Sequence, residues 1–231
     1  MKIAILGAMD EEISLLQDSL QQCEEHQVNH LKVYTGKLGS TDVVLVRCGI
    51  GKVAASVSTT LLVKQFSPDY VINTGSAGGF SSHLNIGDIV IATELRHFDA
   101  NLTHFGYEIG QCAGMPTHFE CATKLVDTAY TQAKSMAGIQ VELGLVCTGD
   151  SFVGSDESAA AIRKDFPTAC AVEMEGVAIA QTCHLLGIPY LVIRSLSDIA
   201  GKTSTVSFQT YLETAAKNSA ELVIHTILNL K

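Results

Sequence analysis

Tyr70-Val71-Ile72-Asn73-Thr74-Gly75-Ser76-Ala77-Gly78-Gly79 is the stretch from which the fold is read. A short apolar run, 70–73, gives way to a glycine-rich segment, 74–79, which reads as a loop leading by a turn to a second apolar strand at 88–93. Continuous apolar runs, unlike alternating ones, mark strands buried on both faces. On the amino-terminal side, Lys2–Gly7 is another such run. Residues 10–20 then carry Ile13, Leu16 and Leu20 at helical spacing, 31–36 and 42–48 suit a hairpin, and Lys52–Phe66 has the Val/Ala/Leu period of a packed helix. On the other side lies a long irregular stretch, 95–118, of a kind usually functional or part of an interface. Beyond it the pattern predicts helices near 121–136, 157–164, 176–186 and 207–230, and strands near 141–147, 169–173 and 189–196. Strands alternating with helices argue for an α/β fold: one mixed, largely parallel twisted sheet flanked by helices on both faces. No linker or repeat interrupts it, so residues 1–231 are expected to form a single domain.

The 231 residues carry 15 Lys+Arg against 24 Asp+Glu, a formal charge of −9, and 47% are hydrophobic. An acidic chain with no basic cluster repels polyanions, so neither nucleic acid nor an anionic membrane surface is an expected partner. Seven cysteines, an odd count without a C-x-x-C pair, indicate neither a disulfide framework nor a zinc site and read as small buried hydrophobes in a reducing compartment. The opening residues reach acids within ten positions, unlike a secretory signal, and no run approaches 18 apolar residues. A cytoplasmic protein is expected.

In such sheets ligands sit outside the carboxyl ends of strands, which selects 8–12, 49–51, 74–79, 148–153, 174–175 and 197–198. Gly49-Ile50-Gly51 opens a helix as a dinucleotide fingerprint would, but Asp69 precedes the next strand and could not meet a ribose. The 74–79 segment could cradle an anion or let a ligand approach the backbone; a tight turn needs the same glycines. Its neighbours Asp10, Glu11, Glu12, Glu175 and Asp198, with Arg194 the obvious cation, disfavour an anionic substrate and favour a cationic transition state. Glu173 and Glu175 flank Met174, where convergent acids and helix-start acids are both compatible with the spacing. Asp198 equally fits an N-cap, and Glu11 and Glu12 fit the first turn of a helix. The eight histidines show no metal-ligand spacing, so no metal is expected.

Seven segments in order, 6–12, 49–55, 73–79, 99–107, 148–153, 172–175 and 194–198, together resemble the bacterial 5′-methylthioadenosine/S-adenosylhomocysteine nucleosidases along the whole chain. The resemblance implies a nucleoside phosphorylase-like fold, a homodimer, no cofactor, and hydrolysis of the bond between adenine and a 5′-thioribose, a step of methionine salvage. It implies that Asp198, oriented by Ser197, protonates adenine, that Glu12 activates water with help from Arg194 and Ser76, and that Glu175 grips the ribose. Met174 would pack under the ribose beside Glu173, Ala77 and Gly78 would approach the substrate, and Phe152 and Val153 would meet the purine. An apolar slot for the thio substituent falls to Met9, Ile50, Phe105 and Phe208, with Leu102 and the region of Ala113 reaching across a dimer interface. Two positions depart from the family pattern: Ala113 stands for a frequent Pro, and Gly176 for a commoner Ala. The competing expectations are a phosphate-dependent phosphorylase, a nucleosidase acting on another 5′-modified adenosine such as aminodeoxyfutalosine, and a non-catalytic nucleoside binder.

Overall fold

The computed structural model describes residues 1–201 and 204–231. Strand β1 (Lys2–Gly7) leads into helix α1 (Asp10–Ser19), and strands β2 (Gln21–Val28), β3 (Leu31–Leu38) and β4 (Thr41–Arg47) form an antiparallel run. Helix α2 (Lys52–Phe66) returns the chain to β5 (Tyr70–Gly79) and β6 (Ile89–His97). After an irregular segment containing one 3-10 turn, Thr103–Phe105, come β7 (Phe119–Glu120), α3 (Thr123–Ala133), β8 (Val141–Thr148), α4 (Asp156–Asp165), β9 (Ala169–Glu173), α5 (Gly176–Leu186), β10 (Tyr190–Ile199) and α6 (Ser204–Asn229).

The strand order is β10-β6-β8-β9-β5-β1-β4-β3-β2, and β10 also pairs with β5, which closes β5, β10, β6, β8 and β9 into a ring. The expectation of a largely parallel sheet needs correction. Among the described residues, parallel pairings (β1 with β4 and β5, β5 with β10, β8 with β6 and β9) are matched in number by antiparallel ones. Ring closure accounts for part of this, because β6 and β9 run against β10 and β5 where the ring is sealed.

Sealed aliphatic side chains fill the interior: Ile3, Ile5, Leu6, Ile72, Ile89, Ile91, Leu191 and Ile193 are all fully buried. Each contributes about 1.5–3 kcal/mol relative to exposure. Helix α6 packs against β5, β10, α1 and α3, while α2 packs with α5. Small residues on its buried stripe, Ala215, Ala216, Ser219 and Ala220, let it approach closely enough for the Ser219 hydroxyl to accept from the Gly75 N–H at 3.2 Å.

Three local readings change. Strand β2 escapes the hydrophobic pattern because it is an edge strand, almost wholly solvent-facing, held mainly by its backbone pairing to β3. The 74–79 segment is not a loop: β5 runs straight through it, with Ala77 paired to Leu196, Gly78 to Asp198 and Gly79 to Ile199. Likewise β10 continues past the expected end at 196, so Ser197 and Asp198 lie within a strand and not beyond one.

Candidate active site

Strand β5 has a neighbour missing on one side. Its residues 70–73 pair with β1, and Gly78–Gly79 pair with β9, but from Thr74 to Ala77 neither strand reaches it. A backbone N–H left without a ladder partner in a buried place must find another acceptor. At Ser76 that acceptor is a side chain: the Ser76 N–H and hydroxyl donate to Glu12 Oε1 at 2.9 and 3.0 Å. Glu12 Oε2 accepts from the N–H groups of Ala8 at 2.7 Å and Met9 at 3.3 Å, at the start of α1. So the helix-start reading of Glu12 and the site reading hold together, whereas Glu11 next to it is exposed. Three of the four donors to Glu12 are backbone amides, which can only donate, and they hold its carboxylate as an acceptor. Gly75 makes room for this, since a Cβ there would lie 2.6 Å from Glu12 Oε1 and 2.8 Å from Arg194 Nη1.

Arg194 on β10 is buried beneath the site and does not line the cavity. Its guanidinium pairs with Glu173 Oε2, donates to Asn73 Oδ1 at 2.6 Å and lies 3.6 Å from Glu175 Oε2. Glu173, expected to touch substrate, spends its carboxylate elsewhere: besides Arg194 it accepts from the Thr148 hydroxyl and from the N–H groups of Glu175 and Gly176 at 3.0 and 2.7 Å. It therefore fixes the entry to α5 and aims Glu175. Glu175 also accepts from the Gly51 N–H at 2.9 Å, across from the start of α2. Burial, with the nearby Glu173 charge, pushes Glu175 up to about 8, although Arg194 pulls the other way. The single Arg194 guanidinium, paired first with Glu173, offsets this rise only in part.

Asp198 owes its direction to a bulge. Between Leu196 and Asp198 the register of β10 on β5 slips by one residue, with Ser197 the extra one. In a regular strand adjacent side chains face opposite ways; here Ser197 and Asp198 both line the cavity, and the Ser197 hydroxyl donates to Asp198 Oδ1 at 3.0 Å. Burial pushes Asp198 up to about 6, only partly offset by the Ser197 hydrogen bond.

These groups share a cavity of about 280 Å³. Its acids are Glu12, Glu173, Glu175 and Asp198, its β5 wall is Ser76, Ala77 and Gly78, and its apolar lining is Met9, Ile50, Phe152, Met174 and Phe208. Phe152 and Phe208 meet edge to face at 5.9 Å across the mouth. Val153 lines a small annex of about 30 Å³ shared with Gly78, Phe152, Met174 and Asp198. Leu102 and Phe105 lie outside the cavity of the single chain, on the irregular segment, with Phe105 79% exposed. Thr148 and Asn73 received no role from the sequence; each is a fully buried polar residue at or near the end of an apolar strand, which was the available signal. Among the described residues no cluster of His, Cys, Asp and Glu is arranged to hold a metal ion.

Residues 2–228 match the model of the phosphorylase superfamily. A 5′-methylthioadenosine/S-adenosylhomocysteine nucleosidase from Geobacillus sp. (strain WCH70) is 50% identical over 231 residues, all of both chains. The chain is also similar to the crystal structure of such a nucleosidase from Colwellia psychrerythraea 34H in complex with adenine, with a TM-score of 0.98 at 47% identity, covering 100% of this chain and 96% of that one. A Neisseria meningitidis nucleosidase in complex with methylthio-immucillin-A gives a TM-score of 0.96 at 43% identity over 98% of each chain.

Proposed function

From a chain that belongs to the 5′-methylthioadenosine/S-adenosylhomocysteine nucleosidase family of the phosphorylase superfamily, we infer an enzyme that hydrolyses the N-glycosidic bond of both nucleosides, releasing adenine and the 5-thioribose product. The observation that carries this reading is the convergence of Glu12, Glu175 and Asp198 on one cavity in a chain half identical to such nucleosidases along its whole length.

Breaking this bond requires a proton on the departing purine, a base for the attacking water and tolerance of positive charge on the sugar. Asp198, raised to about 6, keeps enough of its proton near neutrality to deliver it to adenine, and Ser197 sets its orientation. Glu12, held as an acceptor, takes the proton from water, with Ser76 positioning it. Arg194 acts from below by ordering Glu173 and Glu175, not by meeting the water. Glu175, held by the Gly51 N–H and aimed by Glu173, meets the ribose hydroxyls. As the sugar becomes cationic, the ionised Glu175 carboxylate lies where that charge develops and stabilises the transition state more than the ground state. Met174 and Phe152 supply apolar contact to the ribose and purine, and Val153 sits at the purine end.

Phosphorolysis would need a cationic anion pocket. Among the described residues the cavity lining contains no Lys or Arg, which supports water as the nucleophile. Adenine release from methylthioadenosine should proceed equally fast with and without phosphate; strict phosphate dependence would overturn the hydrolase reading.

The reading extends to a single nucleosidase domain with helices on both faces of its sheet, supported by the separate packing of α6 with α1 and α3 and of α2 with α5. It also extends to a homodimer in which Leu102 and Phe105 approach the partner's thio-substituent slot, supported by the exposed apolar side chains of Ile50, Val53, Phe105 and Leu185. Seven free cysteines support a reducing, cytoplasmic compartment, and the products suit methionine salvage.

A further inference from the structure

A second space adjoins the catalytic cavity. Ala8, Met9 and Ile50 line both the cavity and an adjoining trough of about 910 Å³, which runs between the start of α1 and the β2–β3 turn, with the end of β4 beside it. The trough has a different chemistry from the cavity mouth. Arg47, Lys32 and His30 line it together with Asp10 and Glu11, and Arg47 Nη1 lies 2.9 Å from Asp10 Oδ2 on its exposed wall. Lys32 is already engaged with Glu25, 3.3 Å away.

The two nucleosides share adenine and ribose and differ only beyond the sulfur. Methylthioadenosine ends in a methyl group, for which the apolar mouth of Met9, Ile50 and Phe208 suffices. S-adenosylhomocysteine continues into an amino acid that is zwitterionic at neutral pH, and its α-carboxylate and α-ammonium each need an opposite charge or water. Any tail long enough to pass Met9 and Ile50 enters the trough, where one cation and one anion already stand side by side.

We propose that this trough is the subsite for the amino-acid end of S-adenosylhomocysteine, with Arg47 receiving the α-carboxylate and Asp10 the α-ammonium. This assignment rests on the nucleosidase reading. An exposed ion pair contributes little to stability, so the Arg47–Asp10 pair opens at small cost, and each charge keeps an opposite partner once the zwitterion is inserted. The planar guanidinium suits a carboxylate because two parallel N–H groups can meet its two oxygens. Arg47 and Asp10 are thereby specificity determinants that distinguish the longer substrate from the shorter one without touching the reacting bond.

Steady-state kinetics on the full chain, with both nucleosides assayed in parallel, test this. For Arg47→Ala the KM for S-adenosylhomocysteine should rise about fivefold, and for Arg47→Glu about tenfold or more, the scale of losing or reversing one partly screened charge contact. The KM for methylthioadenosine should change less than twofold, and kcat should hold for both. The carboxyl methyl ester of S-adenosylhomocysteine should be treated by the parent enzyme as Arg47→Ala treats the free acid. Raising ionic strength should weaken binding of S-adenosylhomocysteine alone. Equal changes for the two substrates, or none for either while both are still cleaved, would overturn the subsite and leave the nucleosidase reading standing. A parent enzyme that cleaves neither would overturn the nucleosidase reading itself.

Discussion

The two halves of β5 share one strand and live in opposite surroundings. At Tyr70–Asn73 the strand has β1 on one side and β10 on the other, and Val71 and Ile72 are sealed in hydrocarbon. From Thr74 to Ala77 the β10 side continues while the other side stands open until β9 arrives at Gly78. Where both neighbours are present the strand is core. Where one is missing, small residues leave space, a backbone N–H turns to Glu12, and the acids gather. The site is thus built where the sheet runs short of partners, with Ser76 and Asp198 on strands and Glu12 and Glu175 at the starts of helices α1 and α5, which suits groups that must hold position to fractions of an ångström.

Substitutions in the two halves should separate activity from stability. The largest effect is expected at the acids: Asp198→Asn and Glu12→Gln should each lose more than ~100-fold in kcat, the contribution of a general acid or base. For Asp198→Asn, stability should move the other way. Because burial lifts Asp198 to about 6, the folded chain holds a proton that the unfolded chain releases near pH 4. The unfolded state then binds fewer protons across that interval, and stability falls as pH rises through it. An amide carries no such charge, so the melting temperature of Asp198→Asn at pH 8 should equal or exceed the parent's; a clear drop would break the distinction between site and core. The parent's kcat/KM should also decline as pH rises past about 6, and the Asn variant should lack that limb.

Gly75→Ala probes the boundary between the two halves. Its methyl would press on Glu12 and Arg194, so about tenfold in kcat and about 1–3 kcal/mol in denaturant unfolding should be lost together. Full activity in that variant would show that the placement of Glu12 is not critical. Smallest is Ile72→Val in the closed half: about 0.5–1.5 kcal/mol of stability, with kcat and its pH profile unmoved. A change in the pH profile there would mean that the core and the site are not separate.

Most elements were legible because apolar periodicity reports burial directly. Lys2–Gly7, Lys52–Phe66, Ala169–Glu173 and Gly176–Leu186 are found where the pattern put them. β2 was not, because most of its residues are polar and face water, and its hold on the sheet is mainly the backbone pairing to β3. The 74–79 segment was misjudged for a related reason. Its glycines signal absent side chains, which a turn and a crowded strand both require, and only the approach of Glu12 and Arg194 tells the two apart.

Within the site, the residue types were legible and their division of labour was not. Position after strands offered Asp10, Glu11, Glu12, Glu175 and Asp198 alike, and the family resemblance singled out Glu12, Glu175 and Asp198. That Glu173 also binds Arg194 and the start of α5, and that Thr148 and Asn73 complete this buried network, depends on contacts between residues as far apart as Asn73 and Arg194. Spacing cannot order such contacts.

By itself, then, the sequence determined the α/β class, the run of strands and helices and the acidic character of the site, because these follow from local periodicity and residue chemistry. Only the tertiary structure decided that the sheet closes into a ring, that a bulge turns Ser197 and Asp198 to the same side, and that burial beside Glu173 pushes the Glu175 carboxyl well above its ordinary range. Register, desolvation and charge coupling are properties of groups brought together from distant parts of the chain, and they exist only once the chain has folded.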